Sequence, residues 1–197
     1  MDVCGTQPNI LIVRKQRDER VLRAFDDIVS HLKSKYPEAT VFSPSSDAAL
    51  RRKCNKFSES RDPPKIDLVI TLGGDGTILR ASSLFKNGPV PPVLSFSLGT
   101  LGFLLPFHID SFPRALQHVF EGKYTILHRM RLACRLLDRD GALMPTSPPE
   151  GYQLMNEVTI HRGRSPHLSI MDAFVDGQHL TEAVVRRSPS GVPEQLN

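Results

Sequence analysis

Residues 68–77 read Leu68-Val69-Ile70-Thr71-Leu72-Gly73-Gly74-Asp75-Gly76-Thr77. An apolar, β-branched run ends there at two glycines, an acidic residue and a third glycine, and a helix-compatible segment follows. This order predicts a buried strand, a tight turn and the beginning of a helix. Because Gly73, Gly74 and Gly76 lack a Cβ atom, backbone N–H groups of the turn can approach a ligand closely. Such N–H groups, aimed from a helix N-terminus, form a cradle for phosphate.

The acidic residue of this turn, Asp75, allows two interpretations. A carboxylate in a phosphate cradle is unexpected, because like charges repel. It is explained if Asp75 binds a sugar hydroxyl and accepts its proton during phosphoryl transfer, with a divalent cation offsetting the charge. The alternative is a structural turn in which Asp75 caps the helix. The stretch is not a Walker loop, which needs Gly-Lys-Ser/Thr, and Leu79 stands where the dinucleotide fingerprint has its third glycine.

Strand-like and helix-like segments alternate up to residue 122. The apolar runs and their flanking breakers predict strands at 9–13, 40–42, 66–72 and 93–96, and helices at 18–36, 77–85 and 111–122. This alternation is typical of a parallel sheet with helices packed on it. Ligands of such sheets bind at the carboxyl ends of the strands. Both glycine-rich loops, 73–76 and 98–104, follow strands and are therefore expected at that edge.

The pattern becomes antiparallel β near residue 123. Strands are predicted at 126–137, 154–161, 169–175 and 178–185, with hairpin turns at Asp140-Gly141 and Asp176-Gly177. The last twelve residues are polar and show no periodicity, so we expect them to be disordered. The sequence thus predicts an α/β protein. A parallel-sheet nucleotide domain would span 1–122, an incomplete antiparallel β domain 123–185 and a disordered tail 186–197.

Composition restricts the partners and the compartment. The net charge of +4 is mild, and the basic residues of the 197-residue chain are not interleaved with aromatic ones. This favours small anionic molecules over nucleic acid. The cysteines Cys4, Cys54 and Cys134 are far apart and lack metal-ligand spacing, which predicts no protein-built metal site, and Cys54 and Cys134 are expected to be free thiols in a reducing, intracellular compartment. No apolar run reaches transmembrane length, so we expect no membrane partner.

Four blocks of the sequence carry a family resemblance. They are residues 71–77, the loop Leu98-Gly99-Thr100-Leu101-Gly102-Phe103-Leu104, the run Met155-Asn156-Glu157-Val158, and residues 161–168, His-Arg-Gly-Arg-Ser-Pro-His-Leu. Diacylglycerol kinases, sphingosine kinases and phosphofructokinases share turns like the first block alone. All four blocks in this order resemble the NAD kinase family over about residues 9–184. The fourth block is similar to the fungal mitochondrial NADH kinase branch.

This resemblance implies an activity and its substrates. Members of the family phosphorylate the 2′-hydroxyl of the adenosine ribose of NAD or NADH with ATP, in NADP biosynthesis. Mg²⁺ would arrive on ATP, held mainly by its phosphates. The resemblance further implies a homo-oligomer formed through the β domain and a cytoplasmic or mitochondrial location.

The resemblance also implies roles for particular residues. Asp75 would be the catalytic base, and Gly76 would lie beside it against the ligand. The other expected contacts are Leu79 and Phe103 at the wall of the adenine pocket, Asn156 and Glu157 at polar groups of adenine or ribose, and His167 at the edge of the ligand. The arginines Arg129, Arg131, Arg162 and Arg164 could attract phosphate or form a solvated basic face.

The sequence departs from the family after the segment 176–181. The family continues there with a second Asp-Gly, a Thr-Pro-Thr-Gly-Ser-Thr-Ala-Tyr segment, further strands and a closing helix, whereas residues 186–197 are unrelated to it. We expect the loss of these ligand contacts to impair catalysis. Two other functions stay open, namely a non-catalytic nucleotide-binding or regulatory fragment, and a lipid or sugar-phosphate kinase that shares only the Gly-Gly-Asp-Gly turn.

Overall fold

The computed structural model describes residues 7–44, 53–58, 63–85, 90–100, 102–156, 158 and 169–185. Contacts divide the chain into two compact units, Met1–Met155 and Asn156–Asn197. The elements of the first unit are β1 (Asn9–Arg14), α1 (Glu19–Lys35), β2 (Thr40–Ser43), β3 (Asn55–Lys56), β4 (Leu68–Leu72), α2 (Asp75–Ser83), β5 (Val93–Ser97), β6 (Phe107–His108), a short 3-10 helix (Ile109–Ser111), α3 (Phe112–Phe120), β7 (Leu132–Cys134) and β8 (Tyr152–Leu154). The second unit contains β9 (Ser169–Val175) and β10 (Gln178–Val185).

The main sheet has six strands in the order β3-β2-β1-β4-β5-β6, and every neighbouring pair is parallel. The predicted α/β class and parallel sheet are therefore confirmed. The chain moves from β1 towards one edge and from β4 towards the other, so the winding direction reverses between these two strands. Arg14 and Leu72 pair in register at their carboxyl ends. In sheets of this kind the carboxyl edge at the reversal is the usual place for a ligand.

Helices cover both faces of the sheet. On one face α1 packs the apolar stripe that its sequence predicts, with Val21, Phe25, Ile28 and Leu32 all buried. The side chain of Asp18 caps this helix by accepting a hydrogen bond from the Arg20 N–H. On the other face α2 contributes Ala81 to a second cluster with Leu11, Val13, Phe57, Ile66 and Val69. Because β1 and β4 lie between the two clusters, their continuously apolar sequences are explained.

The predicted long strand at 126–137 is wrong. Only Leu132–Cys134 forms a strand, and it pairs antiparallel with Tyr152–Leu154. Of the described residues in the strand predicted at 154–161, only Leu154 lies in a strand, because β8 ends there and residues 155 and 156 form a bend. The segment 123–130 has no neighbouring strand among the described residues. An extended run becomes part of a sheet only where a partner satisfies its backbone groups.

The hairpin predicted at 169–185 is confirmed. Strands β9 and β10 pair antiparallel, with a register shift between His179 and Thr181. Asp176 and Gly177 join them with φ values of 51° and 78°. Two consecutive positive φ angles are the mark of a type I′ turn, which matches the twist of the two strands. The predicted disordered tail, 186–197, lies outside the described residues, and the domain boundary after residue 122 stays a prediction.

None of the helices described in the structure is long and apolar enough to cross a membrane.

Candidate active site

A glycine turn connects β4 to α2 at the carboxyl edge of the sheet. Gly73 has a φ of +150°, and a Cβ atom placed on it would lie 2.3 Å from Thr77 Oγ1. Its N–H donates to the carbonyl oxygen of Phe96 at 3.1 Å, which ties the turn to β5. Gly74 is the N-cap of α2 and provides no side-chain hydrogen bond. The predicted strand, turn and helix are thus confirmed, and position 73 requires glycine for both its conformation and its packing.

The carboxylate of Asp75 joins the two glycine-rich loops. Its Oδ2 atom accepts a hydrogen bond from the Phe103 N–H and its Oδ1 atom accepts one from the Leu104 N–H, both at 3.0 Å. Asp75 is the first residue of α2, and the cap is Gly74. The alternative in which Asp75 caps the helix is therefore wrong. The side chain instead holds a fixed position between the ends of β4 and β5.

Gly102 makes this junction sterically possible. A Cβ atom on Gly102 would lie 2.4 Å from Asp75 Oδ1 and 2.8 Å from both Cγ and Oδ2. Real side chains do not come this close, so the carboxylate and the loop can meet only because residue 102 is glycine. Sequence reasoning did not place Gly102 or Leu104 among the site residues. The sequence signal that could have identified Gly102 is its position in the glycine-containing loop that follows the fourth predicted strand.

The other predicted site residues have different surroundings. A Cβ atom on Gly76 would meet nothing within 4 Å, so no contact in the structure requires glycine there. Leu79 is half-buried on α2. The Phe103 ring is 87% exposed, which shows that it is not a core residue. Asn156 is exposed at the beginning of the second compact unit, whereas Glu157 and His167 lie outside the described residues.

A basic residue that the sequence did not single out lies beside the turn. The Lys15 N–H donates to the Leu72 carbonyl oxygen at 2.8 Å, so the residue after β1 is held against the end of β4. A Cβ atom on Gly73 would be 3.1 Å from Lys15 Cβ. The exposed Lys15 side chain therefore begins next to the glycine turn, at the reversal point of the sheet. An ammonium group there favours an anionic ligand over a neutral one.

Comparison with known proteins identifies the family of this arrangement. The family described as the ATP-NAD kinase N-terminal domain matches residues 11–124. The chain is 43% identical over 179 residues to "NADH kinase pos5, mitochondrial" of Schizosaccharomyces pombe. The alignment covers 89% of this chain and 45% of that protein. It is 36% identical over 202 residues to "NADH kinase POS5, mitochondrial" of Saccharomyces cerevisiae, covering 93% of this chain and 48% of the relative. The chain thus spans about half the length of these curated relatives.

Solved structures agree with the sequence comparison. The crystal structure of yeast NADH kinase complexed with NADH has a TM-score of 0.76 and 33% identity, covering 91% of this chain and 56% of the yeast chain. An NAD kinase from Archaeoglobus fulgidus has a TM-score of 0.59 at 22% identity, which supports the fold alone. The family profile covers more than half of the chain, and its region contains both the Gly73–Gly76 turn and the 102–104 loop. On these grounds the chain belongs to the NAD kinase family.

Proposed function

We propose that the protein transfers the γ-phosphoryl group of ATP to the 2′-hydroxyl of the adenosine ribose of NAD or NADH, a step of NADP biosynthesis. The observation that carries this proposal is the Asp75 carboxylate, held by two backbone N–H groups at the carboxyl edge of the sheet. Relatives named as NADH kinases and the relative named "ATP-NADH kinase YEF1", which is 32% identical over 195 residues, support the choice of substrates.

Asp75 would act as the base of this reaction. A carboxylate offers about four lone-pair positions, so it can accept a ribose hydroxyl while it keeps both bonds to the loop. The hydroxyl oxygen attacks the γ-phosphorus, its proton passes to Asp75, and the bond to the bridging oxygen of ADP breaks. Because the two N–H groups hold Asp75 in place before the substrate arrives, little reorganisation is needed when the reaction occurs. Such positioning supplies much of the rate in phosphoryl transfer.

Mg²⁺ enters this scheme as part of the substrate. Among the residues that the structure describes, no group of three or more His, Cys, Asp or Glu side chains is arranged to hold a metal ion. In the proposed reaction the cation arrives on the ATP phosphates, where it would neutralise the charge that develops during transfer.

The proposed place of the adenine ring is against Phe103. Its exposed ring offers an apolar face in the same loop that binds Asp75. Aromatic side chains bind planar bases by stacking. Leu79, Asn156, Glu157 and His167 remain proposed ligand contacts on the basis of the family resemblance.

The direct test is a kinase assay with the purified protein, MgATP and either NAD or NADH. Phosphorylated cofactor is the expected product, detected by mass spectrometry and with an NADP-specific dehydrogenase, which reduces the NADP formed from NAD or oxidises the NADPH formed from NADH. Thermal stabilisation by the nucleotides without any product would favour a nucleotide-binding protein without turnover. Phosphorylation of diacylglycerol or sphingosine in the absence of NAD turnover would contradict the proposal.

The substitution Gly76→Ala is expected to change the stability of the free protein and its affinity for the ligand in opposite directions. Alanine should stabilise the protein by about 0.5 kcal/mol, because it forms helices better than glycine and its Cβ atom meets nothing in the free protein. If Gly76 lies against the ligand, the same methyl group should raise the KM for NAD(H) by about tenfold. Urea unfolding and steady-state kinetics measure the two effects. Ser83→Ala, on an exposed position of the same helix, is the control and should leave KM unchanged. An unchanged KM in Gly76→Ala would remove Gly76 from the site.

We also propose an intracellular location and a homo-oligomer. The mitochondrion is favoured over the cytoplasm because the Schizosaccharomyces pombe relative carries "mitochondrial" in its name. Assembly through the β domain is supported by the exposed apolar side chains of the β9–β10 hairpin, where Ile170, Phe174 and Leu180 are 62%, 61% and 67% exposed. Exposed apolar side chains grouped on one hairpin indicate a surface that packs against a second protein surface.

A further inference from the structure

We propose that Arg129 is a positioning residue that holds the Phe103 ring in place beside Asp75 through a cation–π contact. This inference rests on the proposed function for its effect on substrate, but its structural part is independent of any turnover. The sequence left Arg129 undecided between a phosphate contact and a solvated basic face.

The first observation is the contact between the two side chains. The Cζ atom of Arg129 lies 5.8 Å from the centroid of the Phe103 ring, within the range of a cation–π interaction. Phe103 is 87% exposed, so little apolar packing fixes its ring. Over the described part of the chain, no carboxylate lies within ion-pair distance of Arg129. The guanidinium is therefore available to the ring.

The groove that contains both side chains strengthens this point. It has a volume of about 1110 Å³, and Phe103, Arg129, Arg114 and His128 are among its lining residues. None of the residues that line it is Asp or Glu. The residues that line the groove therefore offer no carboxylate that would draw the guanidinium away from the aromatic face, and the nearby Asp75 carboxylate is already bound by the N–H groups of Phe103 and Leu104.

The second observation is the way the backbone near Arg129 is held. Arg131, two residues later, donates from Nη1 to the carbonyl oxygen of Phe85 at 2.8 Å. Phe85 lies two residues beyond Ser83, the last residue of α2, and the first residue of this helix is Asp75. The bond therefore anchors the chain next to Arg129 close to the end of the helix that carries Asp75.

The ring is coupled to the carboxylate through its own backbone. The Phe103 N–H donates to Asp75 Oδ2, so a base that stacks on the ring lies close to the carboxylate. The guanidinium lies over the ring at 5.8 Å from its centroid, and the ring stays exposed enough to accept a planar base. Adenine and Arg129 would then flank Phe103, so that Arg129 touches no substrate atom and acts through Phe103.

A single fluorescent reporter tests the structural part. The sequence contains no tryptophan, so Phe103→Trp introduces a unique one at the ring position. In that background we expect Arg129→Ala to lower the steady-state fluorescence anisotropy of the free protein by about a quarter, because a ring without its cation is more mobile. Arg129→Lys should recover part of the difference, because an ammonium also binds the ring face, and Arg129→Gln should not. Arg139→Ala, an exposed arginine of the 138–142 turn, is the matched control and should change nothing.

Kinetics in the natural Phe103 background test the functional part. Arg129→Ala should raise the KM for NAD(H) by about two- to tenfold, the range of one cation–π contact. The KM for ATP and the kcat should stay within about twofold, because Arg129 contacts only the ring of Phe103 and the backbone N–H groups of Phe103 and Leu104 continue to hold Asp75. Arg129→Lys should restore most of the KM. A general structural defect would lower kcat and the melting temperature together, without rescue by lysine.

The two proposals fail separately. If the fluorescence anisotropy of the free Phe103→Trp protein is the same with and without Arg129, the positioning role is wrong, whatever the protein phosphorylates. If the anisotropy responds to Arg129 but the unaltered protein forms no phosphorylated cofactor, the proposed function is wrong and the support of Phe103 by Arg129 stands. A response to Arg129→Ala that lysine does not reduce at all would also contradict the proposed cation–π contact.

Discussion

Gly102→Ala is expected to lower the kcat for cofactor phosphorylation by about 100-fold, the effect of moving a catalytic group by about 1 Å. The new Cβ atom would lie 2.4 Å from Asp75 Oδ1, and Asp75 is fixed at the first turn of α2. Either the carboxylate or the 102–104 loop must move, and in both cases the two N–H···O bonds at 3.0 Å are lost or lengthened. Steady-state kinetics at saturating MgATP and NAD(H) measures the effect.

The control for this substitution lies in the same loop. A Cβ atom on Gly99 would meet nothing within 4 Å, and its backbone does not need a positive φ. Gly99→Ala should therefore keep kcat within about twofold, because it shares the loss of a glycine but introduces no collision. Equal losses in the two variants would show that loop flexibility matters and that the close approach of Gly102 to Asp75 does not.

Asp75→Asn is expected to remove nearly all turnover and to destabilise the protein. Loss of the base should lower kcat by about 1000-fold, within the range for general-base catalysis. The amide has a single acceptor oxygen, so its NH₂ group must face the N–H of Phe103 or of Leu104, where a carboxylate oxygen now accepts a hydrogen bond. Replacing a hydrogen bond to a charged group by two opposed donors should cost about 1–3 kcal/mol of unfolding free energy.

Urea denaturation and the kinase assay together check this prediction. Asp27→Asn removes the same charge from an exposed position of α1 and should change neither quantity beyond experimental scatter. Turnover retained in Asp75→Asn would exclude a proton-accepting role. Unchanged stability would show that the junction between the two loops contributes nothing to the fold, which would also weaken the expectation for Gly102→Ala.

Local sequence patterns were sufficient for much of the fold. The apolar run at 68–72 followed by glycines predicts a strand and a turn, because both signals act over a few neighbouring residues. The Asp176-Gly177 pair predicts the hairpin of β9 and β10 for the same reason, and both residues have the positive φ angles that the turn requires. The stripe on α1 follows from its helical periodicity alone.

Where a pattern needed a distant partner, the sequence was insufficient. The run at 126–137 is apolar enough for a strand, but only Leu132–Cys134 lies beside another strand that can accept its hydrogen bonds. Arg129 lies in the part without a partner, where its contact is the ring of Phe103. Neither outcome could be read from local composition, because each depends on which segment the fold brings alongside.

The candidate site divides in the same way. A carboxylate in a glycine turn at a strand end was evident from residues 73–76, because the order of residue types is enough to indicate such a turn. Its binding to the N–H groups of Phe103 and Leu104, and the dependence of that contact on Gly102, arise from residues 27 to 29 positions away along the chain. These residues meet because β4 and β5 are adjacent parallel strands whose following loops leave the same edge of the sheet. Distances of 3 Å across that edge result from strand order and register, which no short stretch of sequence contains.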